Sequence, residues 1–297
     1  SQGILKAWAD GILTSTTAMI NIEGALGRVI AARSAHPSFP IGLHLNITQG
    51  HPVLPAKQVP SLVDEEEYFF PFMDLIEHLH QVSFDELRLE CFAQAELFTS
   101  SGFKFDHIDS HQAFPAAYEP FFPVVLELAQ HYRVPVRNPI PGYIYGMIRI
   151  QGKSTRSMAL LEMARFVAQK PRLSFNLLPR MTPAAFKRTA IELTRAGIPT
   201  TNLLVEALYE NPRLDAMIAI IEQLPPGVSE VACHPGVVDD ALRQMGYGYV
   251  EPRSAELAVL LDPQVKAALQ RCQVRLVDFS FLGESLHQNE KVASIIQ

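Results

Sequence analysis

Three short segments of this 297-residue sequence carry histidine where an apolar run ends: Gly42-Leu43-His44-Leu45-Asn46, His107-Ile108-Asp109-Ser110-His111 and Cys233-His234-Pro235-Gly236. Imidazole is the commonest side-chain ligand for a divalent metal and the side chain that titrates nearest neutrality, so such residues can supply both metal and proton chemistry. Taken singly, each histidine reads as an ordinary surface or hydrogen-bonded core residue. Taken together, they have the composition of a metal-hydrolase site.

Spacing narrows the roles. Residues four apart on an extended strand lie roughly 13 Å apart, beyond what two ligands of one ion can span at bonds of about 2 Å. His107 and His111 therefore cannot share an ion on an extended strand, and His111 is the better ligand, with His44 arriving from a neighbouring strand. Asp109 shares a strand face with His111 and could orient a ligand imidazole, although capping a loop is its alternative role. The Pro235-Gly236 pair breaks the run Val228 to Ala232 and leaves His234 at a strand end, where it could protonate a leaving group. Cys233 points the opposite way from His234 on a strand and has no visible cationic cluster to activate it, which argues against a nucleophilic thiol.

The elements that must position these residues alternate. Apolar runs at Ile12 to Ile20, Ile41 to Ile47, Phe105 to Asp109, Val134 to Arg137, Thr201 to Val205, Val228 to Cys233 and Val274 to Phe279 read as strands. Three- and four-residue apolar spacing predicts helices at Gly24 to Arg33, Phe84 to Thr99, Phe121 to Tyr132, Pro183 to Arg195, Leu214 to Leu224 and Ser254 to Leu261. Strand and helix in turn imply a parallel sheet covered on both faces, and hence an α/β protein of the deformed (β/α) barrel type, expected as one domain over residues 1–297. In such barrels the chemistry lies at the C-terminal ends of the strands, where His44, His111 and His234 fall. The Pro-rich stretch His51 to Pro60 and the segment Asn138 to Gly152 read as long loops, either closing over substrate or simply connecting elements.

Bulk composition excludes several partners. The chain is 48% hydrophobic and 19% charged, with a net charge of -6 and no dense Lys/Arg block, so neither nucleic acid nor an anionic membrane surface is the expected partner. A small, largely neutral molecule fits better. The three cysteines, Cys91, Cys233 and Cys272, are widely spaced with no CxxC pair, which suggests neither a disulfide framework nor a thiolate zinc site. A cytoplasmic location is expected, with no membrane span or signal peptide visible. Oligomeric state is left open, a homo-oligomer included.

In their order, these segments resemble the ChbG/YdjC-like carbohydrate deacetylase family. The resemblance runs from Gly11-Ile12-Leu13-Thr14-Ser15-Thr16-Thr17 through Gly42-Leu43-His44-Leu45-Asn46, Pro52-Val53-Leu54-Pro55, His107-Ile108-Asp109-Ser110-His111 and Cys233-His234-Pro235-Gly236 to Arg253-Ser254-Ala255-Glu256-Leu257. It implies a divalent metal, foremost Mg2+ with Zn2+ the alternative, that promotes hydrolysis of the N-acetyl group of an amino sugar. The implied substrate is N-acetylglucosamine or a chitin-disaccharide-like unit, with a lipid-linked acetylglucosamine subordinate. By motif position the resemblance makes His44 and His111 metal ligands and His234 the general acid. Arg137 and Arg253 become candidates for substrate contact, with a structural ion pair as the alternative for either.

The sequence departs from the family pattern in two places. The family opens with a strand ending in Asn-Ala-Asp-Asp-Phe-Gly, whose aspartates supply the base and a third ligand. This sequence begins at Ser1-Gln2-Gly3-Ile4-Leu5, within the following helix. The expectation is thus an N-terminally incomplete barrel lacking its first strand, with little activity in that form. The family also often continues its second histidine motif as His-Gln-His, whereas Ala113 follows Gln112 here and Phe114-Pro115 come next. The rival reading is a non-catalytic sugar-binding or regulatory protein of the same fold that has lost its catalytic aspartate.

Overall fold

The computed structural model describes residues 2–114, 118–178, 182–209, 212–244 and 248–287. The chain opens with α1 (Gln2–Ala9), β1 (Thr16–Ala18), α2 (Ala25–Ala35) and β2 (Ile41–Leu45). Next come α3 (Phe72–His78), α4 (Phe84–Thr99), β3 (Ile108–Ser110) and α5 (Phe122–Tyr132). A small antiparallel pair, β4 (Arg149–Ile150) and β5 (Lys153–Ser154), precedes α6 (Thr155–Gln169), α7 (Pro171–Leu177) and α8 (Pro183–Ala196). The remainder is β6 (Leu203–Val205), α9 (Leu214–Glu222), β7 (Ser229–Val231), α10 (Asp240–Gln244), α11 (Pro252–Leu261), α12 (Pro263–Arg271) and α13 (Ser280–His287). The result is a mixed α/β protein with parallel sheets. Two compact units share the chain: one takes Ser1–Thr16, Pro141–Ala164 and Thr201–Asp278, the other Thr17–Ile140, Arg165–Thr200 and Phe279–Gln297.

In the second of these units, β1, β2 and β3 form one sheet in that order. Leu43 and Leu45 of β2 are fully buried, as is Ile108 of β3, because apolar cover on both faces is what a parallel pair requires. The register pairs Leu43 with Ile108, His44 with Asp109 and Leu45 with Ser110. Beyond β3 the segment containing Val136 makes a parallel bridge to Ile108, and the Arg137 N–H donates to the Ile108 carbonyl at 2.9 Å. Gly42 is required by what lies beside it: a Cβ there would sit 2.4 Å from Cε1 of His107. That imidazole is buried, stacks on Phe279 with ring centres 3.6 Å apart, and has Nδ1 2.6 Å from Asp106 Oδ1.

Helix α4 starts where Ser83 accepts a hydrogen bond from the Glu86 N–H, a side-chain cap on an orphan donor. Its buried Glu90 accepts from the Val53 and Leu54 N–H groups at 2.9 and 3.1 Å and from Gln94 Nε2 at 2.9 Å. Burial pushes the Glu90 carboxyl up, and those three donors act in the opposite direction. The Pro-rich stretch after His51 is thereby tied to α4, which favours the connecting role over a closing lid. Helix α8 is bounded by chemistry legible in its residues, with Thr182 capping the Ala185 N–H, Pro183 at its first position and Gly197 left-handed at its end.

In the other unit β6 and β7 pair in parallel, Leu203 with Ser229, Leu204 with Glu230 and Val205 with Val231. Ile148, Ile150, Leu203, Val205, Ala216 and Ile220 form one buried cluster. A second joins Ala7 of α1 to Met217 and Ile221 of α9, Leu257 and Leu260 of α11, and Val265 and Leu269 of α12. The segment Asn138 to Gly152 is not a plain loop: Pro141 bridges Leu204 in parallel, and residues 149–154 turn back as the β4–β5 hairpin.

Residues 274–278, expected as part of a strand, are not assigned to one; the Val274 N–H donates to the Leu269 carbonyl at 2.9 Å, and Leu276 is 45% exposed. The ring of Phe279 covers His107 instead of joining a sheet. No helix among the described residues is long and apolar enough to cross a membrane.

Candidate active site

The sheet order places Thr17, His44 and Asp109 in a row across β1, β2 and β3, and Arg137 continues it on the next extended segment. His44 Nδ1 lies 2.6 Å from Asp109 Oδ1. Arg137 Nη1 lies 2.6 Å from Asp109 Oδ2. Thr17 Oγ1 is 3.2 Å from His44 Nδ1 and donates to Asp109 Oδ2 over 3.4 Å. All of these contacts except Thr17–His44 end on the Asp109 carboxyl group, whose side chain is fully buried.

Burial is the largest influence on Asp109 and opposes its ionisation. It is outweighed by the charges of Arg137 and His44, the His44 hydrogen bond and the more distant His107, so the carboxyl is held well below the usual carboxylate range. An ionised carboxylate only accepts, which puts the His44 proton on Nδ1. In the neutral ring Nε2 is then the unprotonated nitrogen, and no hydrogen bond to it is found among the described residues. This is the arrangement in which a carboxylate fixes tautomer and ring orientation of a metal-ligating histidine. With both oxygens engaged and its pKa held low, Asp109 is badly suited to take a proton from water.

His111 leaves the end of β3 in a short turn, followed by Gln112 and Ala113 with φ of 52° and 58°, left-handed backbone that is uncommon outside glycine. Gln112 Oε1 accepts from the Thr48 hydroxyl at 2.9 Å, which anchors the turn. The His111 ring lies edge-on to that of His44, with centres 5.6 Å apart and planes at 66°. Two imidazoles sharing one ion at bonds of about 2 Å hold their ring centres roughly 5–6 Å apart, so this pair fits two positions of a divalent site. Among the described residues no group of three His, Cys, Asp or Glu side chains is arranged to hold a metal ion. Phe114, which follows where the family pattern departs, is buried at the end of the turn, and Pro115 lies outside the described residues.

His234 and Arg253 belong to the other unit, where a second cluster surrounds them. The His234 N–H donates to Glu256 Oε2 of α11. Tyr249 stacks on Tyr209 with ring centres 3.9 Å apart, and the His234 ring lies edge-on to Tyr209 at 5.3 Å. Arg253 Nε donates to the Tyr249 carbonyl at 2.7 Å, and the Arg253 carbonyl accepts from the Gly236 N–H at 3.0 Å. Gly236 in turn presses on α1, for a Cβ at Gly3 would come within 2.8 Å of the Gly236 Cα. The Cys233-His234-Pro235-Gly236 segment is thus held from both sides, and Cys233 packs against the apolar cluster of the same unit.

The structure therefore gathers His44, Asp109, His111 and Arg137 in one unit and His234 and Arg253 in the other. Thr17, Tyr209, Tyr249 and Glu256 were not singled out by their types. Thr17 and Glu256 did stand inside the ordered motifs, which was the only signal available for them.

Fold and site together define a mixed α/β protein with parallel sheets and histidines at or beside strand ends. The model of the YdjC-like protein family matches residues 1–271, and this chain belongs to that family. It is 29% identical over 283 residues to a carbohydrate deacetylase of Brevibacillus brevis, covering 95% of this chain and 93% of the relative. A carbohydrate deacetylase of Enterococcus faecalis is likewise 29% identical over 285 residues, covering 95% and 92%. A crystal structure from Enterococcus faecalis V583, named as that of a putative cellobiose-phosphate cleavage protein, superposes with a TM-score of 0.72 at 27% identity, covering 95% of this chain and 92% of that one.

Proposed function

We propose that this chain hydrolyses the N-acetyl group of an amino sugar, N-acetylglucosamine or a chitin-disaccharide-like unit, with the aid of a divalent cation held by His44 and His111. The observation that carries this reading is the Arg137–Asp109–His44 row, which holds the His44 ring with Nε2 available beside His111. The names of the curated relatives support the reaction class. A deformed (β/α) barrel is the finer architecture proposed with it, supported by the alternation of strand and helix.

A divalent cation, Mg2+ foremost and Zn2+ as the alternative, would supply Lewis acidity toward the acetamide and a more acidic water. The residues of the chain do the rest. Asp109 fixes the His44 tautomer, and Arg137 neutralises Asp109, so its first duty is to the carboxylate rather than to sugar. His234 carries the proton that the departing amine needs, since an amine is a poor leaving group until protonated. Arg253 braces the His234 loop through the Gly236 N–H and the Tyr249 carbonyl.

Acetate release from N-acetylglucosamine oligomers by the protein, with a divalent cation present, tests the proposal. Release that stops on chelation and returns with added cation is expected. Sugar binding with no acetate released under any cation would overturn it in favour of the sugar-binding rival.

A further inference from the structure

The proton count around Tyr249 does not close with an ionised Glu256. Tyr249 Oη lies 2.6 Å from the Tyr209 carbonyl oxygen and 2.5 Å from Glu256 Oε1. A phenol has one proton, and both neighbours are acceptors if the carboxyl is charged. One of the two short contacts would then set oxygen against oxygen. A proton on Glu256 Oε1 removes the conflict: Oε1–H donates to Tyr249 Oη, the Tyr249 O–H donates to the Tyr209 carbonyl, and Glu256 Oε2 accepts the His234 N–H. Each hydrogen then has one acceptor.

We propose that Glu256 is held as the neutral acid and is the positioning residue of His234, joining the His234 peptide to the Tyr209–Tyr249 wall through a directed chain of hydrogen bonds. Its burial supports this. Glu256 is completely shielded from solvent and its described contacts include no salt bridge. Burial pushes its carboxyl up, and it stays raised although the Tyr249 and His234 hydrogen bonds and the Arg253 charge act the other way. Tyr249 keeps its proton for the same leading reason, burial, followed by its bond to Glu256.

Among the described residues, the titratable or charged groups facing Glu256 are Tyr249, Tyr209, His234 and Arg253, and the Arg253 Nε is engaged by the Tyr249 carbonyl. Lys6 of α1, the helix packed against α11, pairs at 3.1 Å with Asp10 just beyond its end, and Lys266 of α12 donates to the Asp10 carbonyl. The helix that carries Glu256 thus places an acid directly behind the histidine to which proton donation is assigned. The inference rests on that assignment for its functional half only.

The two halves separate in one set of variants. A neutral carboxyl donates from one end and accepts at the other, and a carboxamide can donate from its NH2 and accept at its oxygen in the same places, so Glu256→Gln should preserve every bond in the chain. Glu256→Gln is expected to keep kcat within about twofold at neutral pH, while Glu256→Ala loses about tenfold or more in kcat with little change in KM. As pH rises above the ordinary carboxylate range, the wild-type melting temperature should fall relative to that of Glu256→Gln. A carboxyl raised in the folded state stabilises fully below its unfolded pKa and loses that contribution as pH rises through its folded value. Should Glu256→Ala not fold, Tyr249→Phe, which removes the hydroxyl linking Glu256 to Tyr209, is expected to lower kcat in its place.

A Glu256→Gln protein destabilised at every pH would show an ionised Glu256 and overturn the neutral acid. Unchanged kcat in Glu256→Ala, or in Tyr249→Phe if that variant stands in, would overturn the positioning role. Full activity in His234→Gln would instead remove the assignment of His234, and the melting comparison would still stand or fall separately.

Discussion

His44 and Asp109 are register partners on neighbouring parallel strands, and their side chains meet at 2.6 Å although 65 residues separate them in the chain. The pleat accounts for this: partners in register project to the same face, so the β2–β3 pairing itself delivers the carboxylate to the imidazole. Arg137, one segment further, meets the same carboxylate from its other side. The strength of the row depends on charge, which makes it testable with an uncharged isostere.

Asp109→Asn should disable the site without removing any ligand. The carboxamide would donate its NH2 to His44 Nδ1, moving the imidazole proton to Nε2 and blocking the nitrogen proposed to bind the cation. Cation affinity is expected to fall about 10–100-fold by calorimetric titration. Arg137 also loses its counter-charge, so denaturant unfolding at neutral pH should show a loss of about 2–4 kcal/mol. Unchanged affinity with lost stability would confine Asp109 to a structural role.

The same carboxyl gives the protein an acid limb. Its folded pKa lies below the unfolded value, so its contribution is present above roughly pH 4 and is lost as pH falls toward the folded value. Wild type should lose stability steeply below about pH 4, and Asp109→Asn should show a shallower slope there. Parallel slopes in the two proteins would contradict the assigned shift.

Much of this was legible in the residues, for local reasons. Apolar spacing and the Ser83 cap define α4 at Phe84–Thr99, and Pro235-Gly236 marks where the strand before His234 must end. The His44–Asp109 contact was not legible, because register between strands so distant in sequence has no local signature. Helix α6 escaped because it buries no residue along its length, so its apolar positions trace no clean stripe. Residues 274–278 look like a strand by type, yet whether such a run joins a sheet depends on a distant neighbour that has no local signature. A glutamate within a helix reads as solvated, which is why the buried Glu256 emerged only from the structure.

His44→Ala and His111→Ala should each lower cation affinity at least about tenfold, since each removes one imidazole from a site to which two are assigned. Metal content after dialysis against a defined free concentration is the measurement. Equal metal in wild type and both variants would sink the ligand assignment.

Gly42→Ala asks a side chain to occupy the space of the His107 ring, at 2.4–2.7 Å from three of its atoms. That ring cannot yield freely, because Phe279 stacks on it and Asp106 holds Nδ1. A loss of about 1–3 kcal/mol is expected by denaturant unfolding, the cost of overpacking a closed core. Restoring space with Gly42→Ala plus His107→Ala should recover part of it, whereas a silent Gly42→Ala would show the core there to be loose.

His234→Gln separates proton donation from cation binding. The substitution keeps the backbone N–H that Glu256 accepts and a side chain of similar reach, so the loop should hold its place. It removes the titrating imidazole. Cation content should therefore match wild type while turnover of an N-acetylated sugar falls roughly a hundredfold or more, the usual worth of a general acid. A substrate whose leaving amine is already a good leaving group should be hydrolysed with a smaller penalty, because it asks less of the acid. Loss of cation in His234→Gln would identify His234 as a ligand instead, and an equal penalty for good and poor leaving groups would remove it from the proton-transfer step.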